Sequence, residues 1–488
     1  MFYARKMYRI LELSRNIFSR TVTTSVKQYG VFLTNKDIPR PKSLPVLGTK
    51  IDFFLAGRGT KLHDYIDGRH KQLGSIFTES LSGNTELVFI SDPILMKSLF
   101  LNLEGKYPAH ILPDPWVLYE KLYGSKRGLF FMNGEEWLDN RRIMSRHLLR
   151  ENSDKWFENP IKSTVNKFIT RWRSLATDGY IISDLDSELY RLSTDVIINV
   201  LLGTNSSLSE SKQYEDLIST FSQEVRKIFY TTTKLYGLPL GLCEMFNLKI
   251  WTDFKDSVDS SVFLAQKIVN EILLNRHETN GLIKKLSDDN VDDETIKKIA
   301  ADFVIAAGDT TAYTTLWTLI MLSENYNAIK EVREKGLSYV KYVVKESMRL
   351  YPVAPFLTRI LPKDSIMGPY NIKQGTPIIA SIYTSGRDEQ NFSDAKKFLP
   401  HRWDRHDPRK TNFKNHVPSA TLPFAFGARS CIGKKIAMTQ LTEVVNQIVS
   451  NFEFKINNGE NVQPITCQIL VPNKYVELLL TTRDPQGQ

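Results

Sequence analysis

The segment "PFAFGARSCIGKKIA", residues 423–437, places one cysteine between two glycines, with two lysines shortly after it. Such a cysteine can be a buried core residue, part of a phosphate-binding loop, or a metal ligand. A Walker-type phosphate loop needs the pattern G-x-x-x-x-G-K-[ST]. Ala428 occupies the place of the first glycine and Lys435 the place of the Ser or Thr, so the phosphate-loop interpretation fails. A buried free cysteine and a metal ligand both remain open.

The neighbours of Cys431 favour the ligand interpretation. Gly427 and Gly433 flank it and allow the backbone to pass close to a flat, bulky group. Arg429 supplies a positive charge that favours thiolate over thiol, and Phe424 would shield the sulfur. An amphipathic helix is predicted to begin just after the cysteine, and its dipole also favours an anion. A thiolate in such surroundings is the type of axial ligand that donates electron density to haem iron.

The composition indicates a protein with a large apolar core, and its few cysteines fit a reducing compartment. The chain has 488 residues, 42% of them apolar, with 26 Phe and 20 Tyr, which is ample for a large core. Its three cysteines, Cys243, Cys431 and Cys467, are far apart and form no zinc motif or disulfide framework. No basic block is interleaved with aromatic residues, so a nucleic-acid partner is not expected.

The first 27 residues, "MFYARKMYRILELSRNIFSRTVTTSVK", contain six basic residues and one acidic residue, which supply half of the formal net charge of +10. Arginines mixed with Ser, Thr and spaced apolar residues are typical of mitochondrial transit peptides. The alternative is a basic surface helix. We predict a transit peptide over residues 1–35, followed by an extended proline-rich segment at 38–49. No run of about 18 apolar residues occurs, so no membrane-spanning helix is expected.

Residues 36–488 are predicted to form one mainly α-helical domain with small β-sheets (α+β). Helical periodicity predicts helices at 155–178, 185–202, 210–230, 254–277, 295–323 and 338–351. Strand-like patterns occur at 85–92, 376–383 and 475–482. The absence of repeats or a second Pro/Gly-rich linker in the sequence favours a single body.

The pattern F-x-x-G-x-R-x-C-x-G resembles the haem-binding loop of the cytochrome P450 family. All five fixed positions match, at Phe424, Gly427, Arg429, Cys431 and Gly433. The resemblance implies the cytochrome P450 fold, haem b as cofactor, and Cys431 as the axial thiolate ligand of its iron. It also implies monooxygenase activity that uses dioxygen and electrons from a redox partner.

Two further segments resemble the family's E-x-x-R and F-x-P-E-R-[FW] motifs, in the family's order. The first is "KESMRLYP", with Glu346 and Arg349 on one face of a helix. The second is "FLPHRW", where Arg402 is the third member of the implied salt-bridge triad and His401 replaces the usual Glu. Any such pair alone would more often be a surface ion pair. The resemblance implies that the triad fixes the segment carrying the cysteine loop.

The segment "DFVIAAGDTTAYTTLW", residues 302–317, resembles the family's oxygen-activating helix. It matches at Ala306, Asp309, Thr310 and Thr311. It departs at Ala307, where glycine is usual, although a glycine follows. An ordinary helix whose Thr hydroxyls bond back to carbonyls is the alternative. The resemblance implies that Thr310 opens a groove near Ala306, and that Asp309 and Thr310 relay the protons that O–O cleavage requires.

Four residues match family positions around the haem carboxylates. Trp137 and Arg141 form the W-x-x-x-R motif, and Arg359 and Arg429 occupy the other matching positions. Bidentate pairing with a carboxylate is the physical reason for arginine at such positions. A solvated surface arginine is the alternative for any one of them, above all for Arg359.

A group of lysines predicts the electron donor. Lys341 and Lys345 lie on one stripe of a helix, and Lys434 and Lys435 follow the cysteine. A solvated charge run is the plain alternative. The pattern resembles that of mitochondrial members, which implies an adrenodoxin-like acidic ferredoxin, served by an NADPH-dependent ferredoxin reductase and steered by charge complementarity.

The predicted substrate is a lipophilic steroid that enters near a membrane face. The candidate pocket residues are His110, Ile111, Ala307, Val353, Phe356 and Ile469. The chain resembles arthropod mitochondrial members that make ecdysteroids, which implies hydroxylation at carbon 2 of an ecdysteroid precursor. A carbon-22 hydroxylase and a detoxifying mitochondrial member remain as alternatives. We expect a monomer attached peripherally to the matrix side of the inner mitochondrial membrane.

Two functions of other classes also remain. The fold hosts haem-thiolate isomerases and dehydratases that rearrange peroxides without outside electrons, and a haem-binding sensor is a third option. Asp309, Thr310 and the lysines argue against the isomerases and dehydratases, because such enzymes need neither a proton relay nor a redox partner.

Overall fold

The structure is a computed structural model that describes residues 33–42, 48–81, 85–124, 128–176, 179–203, 212–274 and 280–483. Apart from its last three residues, the predicted transit peptide lies outside the described residues. Within them, no helix is both long enough and apolar enough to cross a membrane.

Helices form most of the described chain. They are α1 (Lys50–Leu55), α2 (Leu62–Leu73), α3 (Pro93–Ser98), α4 (Asp114–Tyr123), α5 (Gly134–Leu148), α6 (Asp154–Leu175), α7 (Leu185–Leu202), α8 (Lys212–Leu235), α9 (Leu240–Met245), α10 (Lys249–Leu274), α11 (Leu282–Asp288), α12 (Asp293–Ser323), α13 (Tyr326–Lys335), α14 (Leu337–Leu350), α15 (Ile382–Gly386) and α16 (Lys434–Asn451). Each of the six helices predicted from periodicity is present, with its ends shifted by up to about five residues. The sequence patterns did not indicate α2 or α5.

Short strands form small sheets beside the helices. They are β1 (Leu33–Thr34), β2 (Ile76–Glu79), β3 (Leu87–Ile90), β4 (Tyr180–Ile182), β5 (Phe356–Ile360), β6 (Ser365–Met367), β7 (Tyr370–Ile372), β8 (Pro377–Ser381), β9 (Phe452–Ile456), β10 (Pro464–Cys467), β11 (Ile469–Pro472) and β12 (Leu478–Thr482). Among the described residues the sheet orders are β2-β3-β8-β5, β4-β12-β9, β1-β7-β6 and β10-β11. The predicted class, mainly α with small β-sheets, is confirmed.

Helix α12 runs through the centre of the core and positions the site. Its start is fixed by Asp292, whose carboxylate accepts the Thr295 backbone N–H at 2.9 Å, with two acids in the first turn that favour the helix dipole. It packs against α7, α10, α14 and α16, and the largest hydrophobic cluster joins these helices to α6. The cysteine loop, which directly precedes α16, is therefore attached to the helices that surround α12.

Candidate active site

The cysteine loop is a tight turn between an extended segment and α16. The Cys431 N–H donates to the Phe424 carbonyl at 2.8 Å, which closes the loop. Gly427 has a φ of +79° and Ala425 a φ of +56°, both in the left-handed region that suits glycine best. Gly433 has an ordinary backbone conformation and directly precedes α16. The loop thus presents the Cys431 side chain beside the N-terminus of a helix.

The electrostatics of Cys431 differ from those expected from the sequence. Its side chain has an exposed face, but dense surrounding protein raises the pKa of the thiol, against opposing effects from the Gly433 N–H and the charges of Arg141 and Lys434. The protein alone therefore favours the thiol, and the charges that oppose this effect are those of Arg141 and Lys434 rather than that of Arg429. Coordination of a metal ion deprotonates such a thiol outright.

Arg429 joins the cysteine loop to the segments that precede α4 and α5. Its guanidinium donates to the Pro108 carbonyl at 2.5 Å and to the Met132 carbonyl at 2.6 Å. It also lies over the Trp137 ring, 4.4 Å from the ring centroid. Burial, reinforced by the charges of Arg359 and Arg141, lowers the pKa of Arg429 to about 10.

The structure brings the predicted carboxylate-binding arginines together. Arg141 and Arg359 are buried, and the Arg141 Nη2 lies 3.4 Å from Ser430 Oγ in the cysteine loop. The Arg359 Nη2 is buried with no hydrogen-bond partner among the residues that the structure describes. A cluster of guanidinium groups with an unsatisfied donor, beside a cysteine on a glycine-containing loop, fits the two carboxylates and the iron of haem.

Glu346, Arg349 and Arg402 form a fully buried network. The Arg349 guanidinium donates to both Glu346 oxygens, at 2.7 and 2.9 Å, and Arg402 Nε donates to Glu346 Oε1 at 2.9 Å. Burial alone would raise the Glu346 pKa, but the arginines and their hydrogen bonds outweigh it, so the pKa is lowered. His401 packs against Phe413 instead of joining the network.

The remaining donors of the two arginines hold the segment ahead of the cysteine loop. Arg349 donates to the carbonyls of Gly386, Ala395 and Lys397, and Arg402 to those of Ser393 and Asp394. Trp403 adds an indole N–H to Glu346 Oε2 at 2.9 Å. The sequence indicated the pairing but gave no sign that Trp403 joins it, although it directly follows Arg402.

The two residues predicted to relay protons, Thr310 and Asp309, lie on different sides of α12. The Thr310 hydroxyl donates to the Ala306 carbonyl at 3.0 Å, and both residues have exposed side chains. Asp309 is 2% exposed and its Oδ2 has no hydrogen-bond partner among the described residues. Burial raises the Asp309 pKa to about 7, against the opposing charge of Arg226.

Tyr190 accounts for the glycine at position 308 of α12. A Cβ at Gly308 would lie 2.7 Å from Cζ and 2.8 Å from the hydroxyl of Tyr190 on α7. A glycine is therefore needed at this position, where the tyrosine packs. Tyr190 also has a charge interaction with Asp309 and lies under Arg226. The shifted glycine was the signal in the sequence, but its partner could not be identified there.

The predicted pocket residues fall into separate groups. Ile111 and Phe356 pack on one hydrophobic cluster, and the Ile111 N–H donates to Thr358 Oγ1 at 3.0 Å. The Val353 carbonyl accepts the Leu470 N–H at 2.8 Å, which ties it to the strand that begins at Ile469. Ala307 packs against the main core.

His110 lies beside the arginines rather than among apolar pocket residues. Its ring contacts Phe130, and neither ring nitrogen has a hydrogen-bond partner among the described residues. Burial, with the charges of Arg429 and Arg359, lowers its pKa to about 3, so the ring is neutral near pH 7.

Three of the four predicted partner lysines converge. Burial, then the charges of Lys434, Arg405 and Lys341, lower the pKa of Lys345, so these four cations share one surface. Lys435 instead donates to the Arg150 carbonyl at 2.6 Å and lies apart from them. Arg405 and a depression lined by Arg142, Arg146 and Arg150 beside the cysteine loop were not identified from the sequence.

Comparison with known proteins places this arrangement in a family. A profile described as "Cytochrome P450" matches residues 38–480. "Cytochrome P450 315a1, mitochondrial" of Drosophila melanogaster is 37% identical over 468 residues, which cover 91% of this chain and 88% of that protein.

More distant relatives are also mitochondrial. "1,25-dihydroxyvitamin D(3) 24-hydroxylase, mitochondrial" of Rattus norvegicus is 28% identical, over 91% of this chain and 89% of its own length. "Cholesterol side-chain cleavage enzyme, mitochondrial" of Sus scrofa is 26% identical, over 87% and 86%. The resemblance inferred from the motifs and the predicted haem cofactor are thereby confirmed. The chain belongs to the cytochrome P450 family, as a haem-thiolate monooxygenase of the mitochondrial class.

Proposed function

We propose that this enzyme hydroxylates a lipophilic steroid, at carbon 2 of an ecdysteroid precursor, which converts 2-deoxyecdysone to ecdysone. The observation that carries the proposal is the 37% identity, over nearly the whole chain, to a mitochondrial P450 of an insect. Mitochondrial relatives whose names give cholesterol and a vitamin D derivative as substrates support the steroid class. The choice of carbon 2 rests on the resemblance to arthropod ecdysteroid-making members.

The proposed chemistry assigns a role to each part of the site. Cys431 would supply the thiolate that holds the haem iron, and Arg141, Arg359, Arg429 and Trp137 would hold the haem carboxylates and the surrounding loops. When bound, haem supplies the reductive activation of dioxygen. The chain contributes the Thr310 hydroxyl on the exposed side of α12 and Asp309 behind it, as groups that hold and transfer protons.

The proposed electron donor is an adrenodoxin-like ferredoxin, reduced by an NADPH-dependent reductase. Its docking surface would be Lys341, Lys345, Lys434 and Arg405, which share one face near the cysteine loop. Their mutual repulsion favours an acidic partner, because an acidic surface relieves it on binding. The basic depression along α5 would extend this surface.

The proposed location is the matrix side of the inner mitochondrial membrane, with peripheral attachment as a monomer. Large apolar side chains are exposed near α1 and α9, with Leu55 at 79% and Phe246 at 65%. Gly59, just after α1, packs against Thr233 and Tyr236, close to α9 in the chain, so the two apolar segments lie near each other. Exposed apolar side chains on two neighbouring segments suit a lipid interface.

Product identification tests the proposed substrate and position. The purified protein, reconstituted with ferredoxin, reductase and NADPH, would be incubated separately with 2-deoxyecdysone and 2,22-dideoxyecdysteroids. We expect products that carry a new hydroxyl at carbon 2 only. Hydroxylation at carbon 22 would identify the alternative hydroxylase, and turnover of xenobiotics but not ecdysteroids would indicate a detoxifying enzyme.

The peroxide-rearranging class needs a separate control. An isomerase or dehydratase would convert a lipid hydroperoxide without ferredoxin, reductase or NADPH. We expect no such conversion, and turnover that stops when any one of the three is omitted. Rearrangement in their absence would contradict the proposed monooxygenase reaction.

A further inference from the structure

Glu104 is a buried acid that the functional motifs do not include. It follows a π-helical turn, Leu99–Leu103, and is 6% exposed. Its Oε1 accepts the Ala428 backbone N–H at 2.6 Å, and its Oε2 accepts Arg359 Nε at 2.7 Å. One carboxylate therefore joins the cysteine loop to a carboxylate-binding arginine on β5. Both bonds are charge-assisted, which makes them the stronger kind.

The cysteine loop is closely fitted to this acid. A Cβ at Gly427 would lie 2.2 Å from Glu104 Oε1 and 2.1 Å from the Phe100 carbonyl oxygen. A side chain at that position would separate the loop from Glu104. Gly427 is thus required by the contact with Glu104 and the π-helical turn, as well as by its left-handed backbone.

Glu104 also sets the charge of the arginine cluster. It pairs with Arg359 directly, and its charge raises the pKa of Arg141 and of Arg429 against the effect of burial. His110, beside the same arginines, is neutral at pH 7. Three guanidinium groups and one carboxylate give a net charge of two positive units, which matches the two carboxylates of haem.

We infer that Glu104 is a positioning residue of the haem site, with two effects. It anchors the cysteine loop through the Ala428 N–H, and it limits the positive charge around the haem carboxylates to what they neutralise. Loss of its charge leaves one uncompensated positive charge around the haem carboxylates. This favours the reduced state of the metal, because reduction adds a negative charge.

Glu104→Gln in the purified haem protein tests the charge effect with little change in shape. We expect the ferric–ferrous midpoint potential to shift to a more positive value. The double variant Glu104→Gln with Arg359→Gln restores the net charge, so its midpoint should return toward that of the wild type. Glu104→Asp, which keeps the charge, should lie closer to the wild type than Glu104→Gln.

Glu104→Ala tests the anchoring effect through the carbon monoxide spectrum of the reduced protein. We expect part of the thiolate-type band to be replaced by the thiol-type band, because the loop loses its acceptor at Ala428. The matched control is Glu79→Gln, which removes another buried carboxylate, the partner of Arg69 and Tyr65. This control should lower the unfolding temperature without changing midpoint or spectrum.

Two results would overturn the inference. One is a midpoint in Glu104→Gln that equals that of the wild type. The other is a shift that persists in the double variant, since the charge balance would then not be its cause. Neither result depends on the substrate, so these measurements test the role of Glu104 independently of the proposed steroid reaction.

Discussion

Cys431 could be identified from the sequence as the ligand candidate, but the protonation state of its thiol could not. Its position between Gly427 and Gly433 in a family motif identified it as the ligand candidate. Only the structure shows that burial raises the pKa of this thiol. The positive charges that favour the thiolate are those of Arg141 and Lys434. Arg429 instead joins two segments through its hydrogen bonds to backbone carbonyls.

Replacing Cys431 with alanine should abolish the thiolate-type carbon monoxide band completely, because no other described sulfur lies in this loop. The measurement is the difference spectrum of the reduced protein. Cys243→Ala is the matched control, since Cys243 is a free cysteine buried in α9. A thiolate-type band that survives in Cys431→Ala would contradict the assigned ligand.

Asp309 gives a prediction of how stability depends on pH. Burial raises its pKa from 3.8 to about 7 in the folded protein, in a setting formed by Arg226, Tyr190, Tyr313 and Asp186. The unfolded chain ionises this carboxyl first, so its contribution to stability is lost as pH rises from about 4 to 7.

Asp309→Asn should therefore gain stability relative to the wild type across that range, by a few kcal/mol at most. Denaturant unfolding at pH 5 and at pH 8 measures the difference, with the exposed Asp216→Asn as control. Turnover of the variant should fall by about 100-fold if Asp309 transfers protons. A stability difference that is the same at both pH values would show that Asp309 does not titrate as described.

At the scale of the element, α12 has an ordinary helical sequence pattern, but its packing against α7 requires a glycine at position 308. The sequence predicted its bounds to within two residues. The place where glycine is needed depends on Tyr190, which lies more than 100 residues earlier in the chain and reaches α12 only when α7 packs against it. No local pattern carries that information.

Gly308→Ala adds a methyl group and Ala307→Gly removes one at the adjacent position. The two variants should change the unfolding free energy for different reasons. Gly308→Ala forces a Cβ into the Tyr190 ring, which should cost about 1–3 kcal/mol of unfolding free energy. Ala307→Gly loses only helix propensity, about 1 kcal/mol. Equilibrium unfolding measures both.

A double-mutant cycle isolates the contact. In a Tyr190→Ala background, Gly308→Ala should no longer destabilise, because the ring that meets the new Cβ is gone. If the cost of Gly308→Ala is the same in both backgrounds, the clash with Tyr190 is not its cause.

At the scale of the whole molecule, the basic face is built from three separate parts of the chain. Lys341 and Lys345 lie on α14, Lys434 begins α16, and Arg405 follows the Arg402 segment. The buried triad fixes that segment relative to α14. The same network that holds the segment ahead of the cysteine loop thus also shapes the proposed docking surface.

Lys345→Glu should raise the ferredoxin concentration needed for half-maximal turnover several-fold, because it places an acid opposite an acidic partner. The carbon monoxide spectrum should stay unchanged. The control Lys455→Glu alters an exposed lysine on β9, outside the patch. If the wild type and Lys345→Glu need the same ferredoxin concentration at low and at high salt, this group of basic residues is not the docking surface.

The sequence by itself determined the long helices and the motifs. Periodicity predicted the long helices, and fixed spacings identified Cys431, the Glu346–Arg349 pair and the α12 segment. These are local properties, since helical periods and motif spacings are read within a few turns of chain. Family, cofactor and reaction class followed from them.

Only the tertiary structure decided which charges meet. Glu104 reaches Arg359 and Ala428 across more than 250 residues, Lys435 leaves the lysine group for the Arg150 carbonyl, and Asp309 turns away from Thr310. Burial and long-range electrostatic contacts set the pKa of Cys431 and Asp309. Such contacts depend on how helices pack in space, and adjacent sequence does not encode them locally.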